Sequence, residues 1–261
     1  MIPVFLTIAG SDCSAGAGLQ TDLKTGIALG CYPLTAVTCV VSEVPGRVAG
    51  IVPMEAEFVV SQVQECLRSF PVAAVKTGML YSPEIVRAVA EILPEGMPLV
   101  VDPVMIATAG EPLMLAQALS AYREMLIPRA TLLTPNIDEL LCLTGRSTIP
   151  HIDTLCDAAQ ELARATGCSV LAKGGHMAGD ECTDLLANPS GSTRRWSHAR
   201  TSGIITHGTG CTLSAAITAG LAKGMDLESA IEQALHYTAD AIAHSWRWDH
   251  VCALNTGRKH H

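Results

Sequence analysis

The chain has 261 residues, 49% of them apolar and 16% charged, with a net charge of −8. That apolar share builds a large core and excludes a disordered chain. The acidic balance argues against a nucleic-acid binder, and no apolar run approaches the roughly 20 residues of a membrane span.

Residues 2–9 lack the basic start of a secretory signal and read as a first strand. Short apolar runs then alternate with amphipathic, helix-length ones. The strands are predicted at 4–9, 34–41, 73–77, 99–102, 131–134 and 169–172. Helices are predicted at 17–29, 56–69, 83–93, 116–126, 137–143 and 152–165, and two more close the chain at 210–223 and 227–246. Residues 181–198, around Asn188-Pro189-Ser190-Gly191, have the texture of a β-hairpin at a sheet edge. Continuous apolar strands separated by helices imply α/β architecture, a mostly parallel sheet covered on both faces. Residues 1–261 fit one such domain. The ten cysteines are scattered without a CxxC pair, mostly within apolar stretches, as expected of free thiols in a reducing cytoplasm.

Ligands of open α/β sheets bind beyond the carboxyl ends of strands, so the residues just after each run matter most. The first run feeds Gly10-Ser11-Asp12-Cys13-Ser14-Ala15-Gly16-Ala17-Gly18. This small-residue loop matches neither a dinucleotide fingerprint nor a P-loop, yet it brings backbone close to a flat ligand or a phosphate. Asp22, in the following helix, reads as a solvated charge, a local hydrogen-bond partner or a ligand group. Glu43 closes the second run and faces either the cleft or solvent. In Lys76-Thr77-Gly78-Met79-Leu80, Gly78 permits close approach and Met79 is core or an adaptable wall. Asp102 ends the fourth run, ahead of Pro103-Val104-Met105. After the fifth, Asn136 and Glu139 have the spacing of a capping box. The same hard oxygens, with Asp102, suit Mg²⁺. Lys173-Gly174-Gly175-His176 offers a cation and amides to a phosphate, or is an ordinary turn.

The densest signal is His207-Gly208-Thr209-Gly210-Cys211-Thr212, directly before an alanine-rich apolar run. Glycines at a helix N-terminus present bare amides where the dipole favours an anion. Cys211 sits at that mouth. The competing reading is a glycine turn ahead of a core helix, with a buried cysteine.

These motifs, in this order over nearly the whole chain, resemble the hydroxymethylpyrimidine/phosphomethylpyrimidine kinases of thiamine synthesis, within the ribokinase-like superfamily. The resemblance implies a three-layer α/β/α sandwich and a kinase using ATP and Mg²⁺. Its substrate would be 4-amino-5-hydroxymethyl-2-methylpyrimidine, and then the monophosphate. Gly208, Thr209 and Gly210 match the anion hole, and Cys211 matches the catalytic position. Asp102 and Glu139 match the metal region. Lys173, Asn136 and Thr206, with Gly208, match the nucleotide region. Gly10, Asp22, Met79 and Val104 match the pyrimidine pocket. A homodimer is also implied. Pyridoxal kinases share the scaffold and form the alternative, and a ligand-binding protein without turnover is a third reading. The helix N-terminus is expected to lower the Cys211 pKa, so that the thiol accepts the substrate proton.

Two departures stand out. Ala15 occupies a position where the family often has glycine, which calls for an ordinary backbone angle. Glu43 replaces a glutamine that reads the pyrimidine edge. A carboxylate only accepts hydrogen bonds. Either Glu43 is protonated, or the ring is, or the substrate presents donors where the usual one presents acceptors.

Overall fold

The computed structural model describes residues 1–105, 115, 117–175, 181–199, 207–249 and 251–257. Nine strands form one sheet: β1 (Val4–Asp12), β2 (Tyr32–Val44), β3 (Arg47–Pro53), β4 (Val72–Thr77), β5 (Leu99–Val101), β6 (Leu132–Leu133), β7 (Ser169–Lys173), β8 (Glu181–Ala187) and β9 (Thr193–Ala199). Their order is β3-β2-β1-β4-β5-β6-β7-β8-β9. Pairing is parallel from β2 through β7 and antiparallel for β3, β8 and β9. The helices are α1 (Gly18–Ala28), α2 (Ala56–Ser69), α3 (Pro83–Ile92), α4 (Ala118–Ala121), α5 (Ile137–Thr144), α6 (Ile152–Thr166), α7 (Thr209–Ala222) and α8 (Leu227–Ala243).

Successive strand residues point to opposite faces, and here both faces are apolar. Val100, Leu132, Leu171 and Leu186 pack against Leu213, Ile217 and Ile231 of α7 and α8. Their neighbours Val101, Leu133, Val170 and Leu185 pack on the other face against Val86 of α3, Leu140 of α5 and Leu155 of α6. The result is the expected α/β/α sandwich. Leu132 and Leu133 are both fully buried, and each such side chain contributes about 1.5–3 kcal/mol. The unbroken apolar runs of the sequence are this two-sided burial.

Three elements differ from the sequence expectation. Strand β3 has no apolar alternation, because most of its residues are exposed; its order comes from antiparallel pairing with β2. The expected helix over 116–126 is α4, then a π-helical turn over Tyr122–Leu126, then a 3₁₀ turn over Ile127–Arg129. Pro128 supplies no amide there, which breaks the regular helical ladder. Residue 116 lies outside the described residues. Helix α8 ends at Ala243 rather than 246, and Trp246–Arg247 (β10) pairs with Cys252–Ala253 (β11) in a small antiparallel ribbon. The hairpin β8–β9 lies at the sheet edge, as expected.

Candidate active site

The sheet order brings the ends of β1, β2, β4, β5, β6 and β7 together against the N-terminus of α7. Gly208 caps α7 with φ 85°, and a Cβ there would lie 1.9 Å from the Gly16 carbonyl oxygen. Only glycine fits, for conformation and for space. The Thr212 N–H donates to the Gly208 carbonyl, so the Gly210 and Cys211 amides precede the first helical bond. A Cβ at Gly210 would lie 3.1 Å from Lys173 Nζ and 3.7 Å from Asp102 Oδ2. An anion at this end of α7 meets the helix dipole, backbone amides and an ammonium group.

Asp102 is buried. Its Oδ1 accepts from Thr134 Oγ1 at 3.2 Å and Lys173 Nζ at 3.3 Å, and its Oδ2 accepts from Ser214 Oγ at 3.0 Å. Asn136 and Glu139 form the capping box of α5: Glu139 N–H donates to Asn136 Oδ1 at 2.9 Å, and Asn136 N–H to Glu139 Oε2 at 2.8 Å. The capping reading therefore holds for this pair. The bridge between Asn136 and Lys173 still carries Glu139 to 4.0 Å from Lys173 Nζ. Burial pushes the Glu139 carboxyl up to about 7, with Lys173 opposing and Asp102 reinforcing. Two buried carboxylates against one ammonium leave acceptor capacity for a hard cation, so the donor set fits Mg²⁺. Thr206 and His176 lie outside the described residues.

Cys211 does not behave as expected. Burial pushes its thiol up to about 12, Lys76 opposing and Asp102 and Asp22 reinforcing; the Gly18 amide donates to it. The helix N-terminus does not compensate for the desolvation. Beneath it, Lys76 and Asp22 form a wholly buried ion pair at 2.5 Å, and Thr7 Oγ1 donates to the other Asp22 oxygen at 2.6 Å. Asp22 thus stands in a buried charge pair.

The pocket wall lies on the same side. Cys39, Val41 and Met79 cluster, with Val104 and Tyr81 packed on them. Gly10 faces them, and a Cβ there would lie 2.9 Å from Cys39 Sγ and 3.5 Å from Met79 Sδ. The structure brings Gly10, Met79 and Val104 together.

Ala15 corrects the expected ordinary angle: its φ is 58°. Left-handed backbone costs a non-glycine residue roughly 1–2 kcal/mol. The turn holds it there: Ala15 N–H donates to the Asp12 carbonyl at 3.0 Å, and Lys24 Nζ to the Ala15 carbonyl at 2.6 Å.

Sequence reasoning assigned no role to Asp12 or His207. Asp12 accepts from the amides of Ser14, Gly16 and Ala17, and so shapes the first glycine loop. His207 Nε2 lies 3.2 Å from Asp12 Oδ2 and 3.0 Å from Glu43 Oε1. The three ligand atoms lie within 4.8 Å of one another, close enough for a metal. Asp12 Oδ2 is already occupied by the Gly16 and Ala17 amides and by Ser14 Oγ. The arrangement is an imidazolium between two carboxylates: burial alone would lower the His207 pKa, but hydrogen bonding to Asp12 and Glu43 carries it up to about 9. Nothing in sequence spacing links positions 12, 43 and 207.

A pH dependence follows. The folded pKa of His207 exceeds its unfolded value near 6.5. Its stabilisation is therefore complete below that value and lost as pH rises through about 9. Urea midpoints should show wild type losing stability relative to His207→Asn between those limits, by roughly 3 kcal/mol at about 1.36 kcal/mol per pKa unit. Parallel curves for the two proteins would contradict the pairing.

A family model described as phosphomethylpyrimidine kinase matches residues 12–254. A hydroxymethylpyrimidine/phosphomethylpyrimidine kinase of Streptomyces coelicolor is 42% identical over 92% of this chain and 88% of its own length. A putative hydroxymethylpyrimidine/phosphomethylpyrimidine kinase 2 of Schizosaccharomyces pombe is 41% identical over 94% of this chain, which spans about half (48%) of that protein. Among solved structures, pyridoxal kinase of Staphylococcus aureus in complex with AMP-PCP and pyridoxal superposes with a TM-score of 0.89 at 31% identity, covering 98% of this chain and 94% of that one. With its glycine-capped α7, its buried carboxylates and the match over 12–254, the chain belongs to the phosphomethylpyrimidine kinase family.

Proposed function

We propose that this chain transfers the γ-phosphate of ATP to the hydroxymethyl oxygen of 4-amino-5-hydroxymethyl-2-methylpyrimidine, and then phosphorylates the monophosphate. The carrying observation is the convergence of the α7 amides, Lys173 and Cys211 beside the Gly10–Met79–Val104 wall. Lys173 and the amides of Gly208, Thr209 and Gly210 gather the charge that develops on the phosphoryl oxygens. Asp102 and Glu139 would hold Mg²⁺, which supplies neutralisation of phosphate charge. Cys211, a neutral thiol at pH 7 in the free site, aligns the attacking hydroxyl. The hydroxyl proton passes to an oxygen of the transferred phosphoryl group as the new O–P bond forms and the bond to the leaving ADP oxygen breaks, because a loose transition state needs little prior activation of the nucleophile. Most of the acceleration is positioning and charge.

A homodimer belongs to the same proposal. Val40, Val44 and Val52 leave an exposed apolar strip where β2 pairs with β3. So does a reducing compartment, which keeps all ten cysteines free.

The test is ATP consumption with the aminopyrimidine, its monophosphate and pyridoxal as competing acceptors. The expected product is the pyrimidine diphosphate. Consumption with pyridoxal alone, or binding without turnover, would overturn the reading.

A further inference from the structure

Cys39, Val41 and Glu43 alternate onto one buried face of β2. The first two form the apolar wall around Gly10, and Glu43 continues it at 8% exposure. A register shift between Ser42 and Glu43 sets Glu43 opposite Val48 of β3. Such bulges re-aim side chains beside sites.

Among the described residues, the charged and titratable neighbours of Glu43 are few. The end of β1 supplies Asp12 and Cys13, β2 supplies Cys39, and the residue before Gly208 is His207. Lys24 of α1 acts on Asp12. Val48 of β3 is apolar. Asp12 is committed to the amides of its own loop. His207 engages Glu43 through Oε1, and Oε2 has no partner among the described residues. A glutamine here would offer one donor and one acceptor. A carboxylate held by an imidazolium offers acceptors alone.

We propose that Glu43, with His207 seated on its Oε1, presents Oε2 to the substrate and thereby makes this site select the heteroaromatic alcohol with its ring nitrogen protonated. The ring N–H gained on protonation donates to Oε2. A neutral ring sets a nitrogen lone pair against a carboxylate oxygen. Of the three outcomes left open by the sequence, the contact between His207 and Glu43 Oε1 at 3.0 Å fits the protonated ring. The proposal rests on the kinase reading above and narrows its substrate to one charge state. Binding transfers one proton from solvent to the ring nitrogen. No bond to phosphorus is involved, so the chemical step is unchanged.

Two measurements test it on the full chain with the aminopyrimidine, whose ring pKa is read separately by ultraviolet titration. The first is kcat/KM against pH, from below the ring pKa up to pH 8. Wild type should lose about tenfold per pH unit above the ring pKa, carried by KM and not by kcat. Glu43→Gln should lose that slope and favour the neutral ring. The second is calorimetric binding in buffers of different ionisation enthalpy. Wild type should take up about one proton above the ring pKa, and this measurement stands even if Glu43→Gln fails to fold. A wild-type profile flat above the ring pKa, with no proton uptake, overturns the proposal while leaving the kinase reading intact. If only pyridoxal is phosphorylated, the pyrimidine reading fails, and the same two measurements on the pyridine ring decide the proposal.

Discussion

Cys211→Ala should lower kcat for the aminopyrimidine by about 10²-fold, the cost of misplacing a reacting group by roughly 1 Å, with little change in ATP affinity. The reason is its place: it sits on the first turn of α7, adjoining Gly210, where an added Cβ would lie 3.1 Å from Lys173 Nζ and 3.7 Å from Asp102 Oδ2. A pKa pushed up to about 12 makes it a neutral hydrogen-bonding group at pH 7. Cys211→Ser, which keeps a hydroxyl able to orient the substrate, should therefore retain more activity than Cys211→Ala. Steady-state kinetics of the two variants, with ATP affinity measured separately, checks this. Equal turnover in wild type and Cys211→Ala would remove Cys211 from the reaction. Equal inactivity of the serine and alanine variants would mean that a thiolate, not orientation, is required.

Lys76→Met should destabilise the protein by about 3–5 kcal/mol, because it strands Asp22 as an unpaired buried charge. Both side chains have 0% exposure. Removing both charges in Lys76→Met/Asp22→Leu should recover a large part of the loss, since the desolvation cost disappears with them. The double variant should nonetheless stay catalytically weak, because Lys76, after Lys173, helps hold the buried Asp102 carboxyl in its charged form. Denaturant midpoints and kcat on the three proteins separate the two roles. A single variant as stable as wild type would show that the pair does not carry the stability assigned to it.

The fold was largely legible because burial on both sheet faces leaves continuous apolar runs. Val100-Val101 and Leu132-Leu133 each send one side chain to either face. Strand β3 was not legible, since its order depends on a partner strand and not on its own apolar pattern. The π-helical turn at Tyr122–Leu126 likewise depends on where Pro128 falls. At the site, residues at strand ends were visible one by one: Asp102, Glu139, Lys173 and the Gly208–Gly210 turn. Their couplings were not. Asp22 faces Lys76 across 54 positions, and His207 meets Asp12 across 195. Such contacts arise from strand order, which local spacing does not encode. The Cys211 shift is hidden for the same reason: the helix N-terminus is visible in sequence, but the packing that partly desolvates the thiol is not.

The most direct measurement is a crystal structure of the full chain with a non-hydrolysable ATP analogue and the aminopyrimidine. The account predicts the terminal phosphate within hydrogen-bond distance of the Gly210 and Cys211 amides, with the substrate hydroxyl between that phosphate and Cys211 Sγ. A terminal phosphate seated away from the α7 N-terminus, with the hydroxyl out of reach of the thiol, would contradict it.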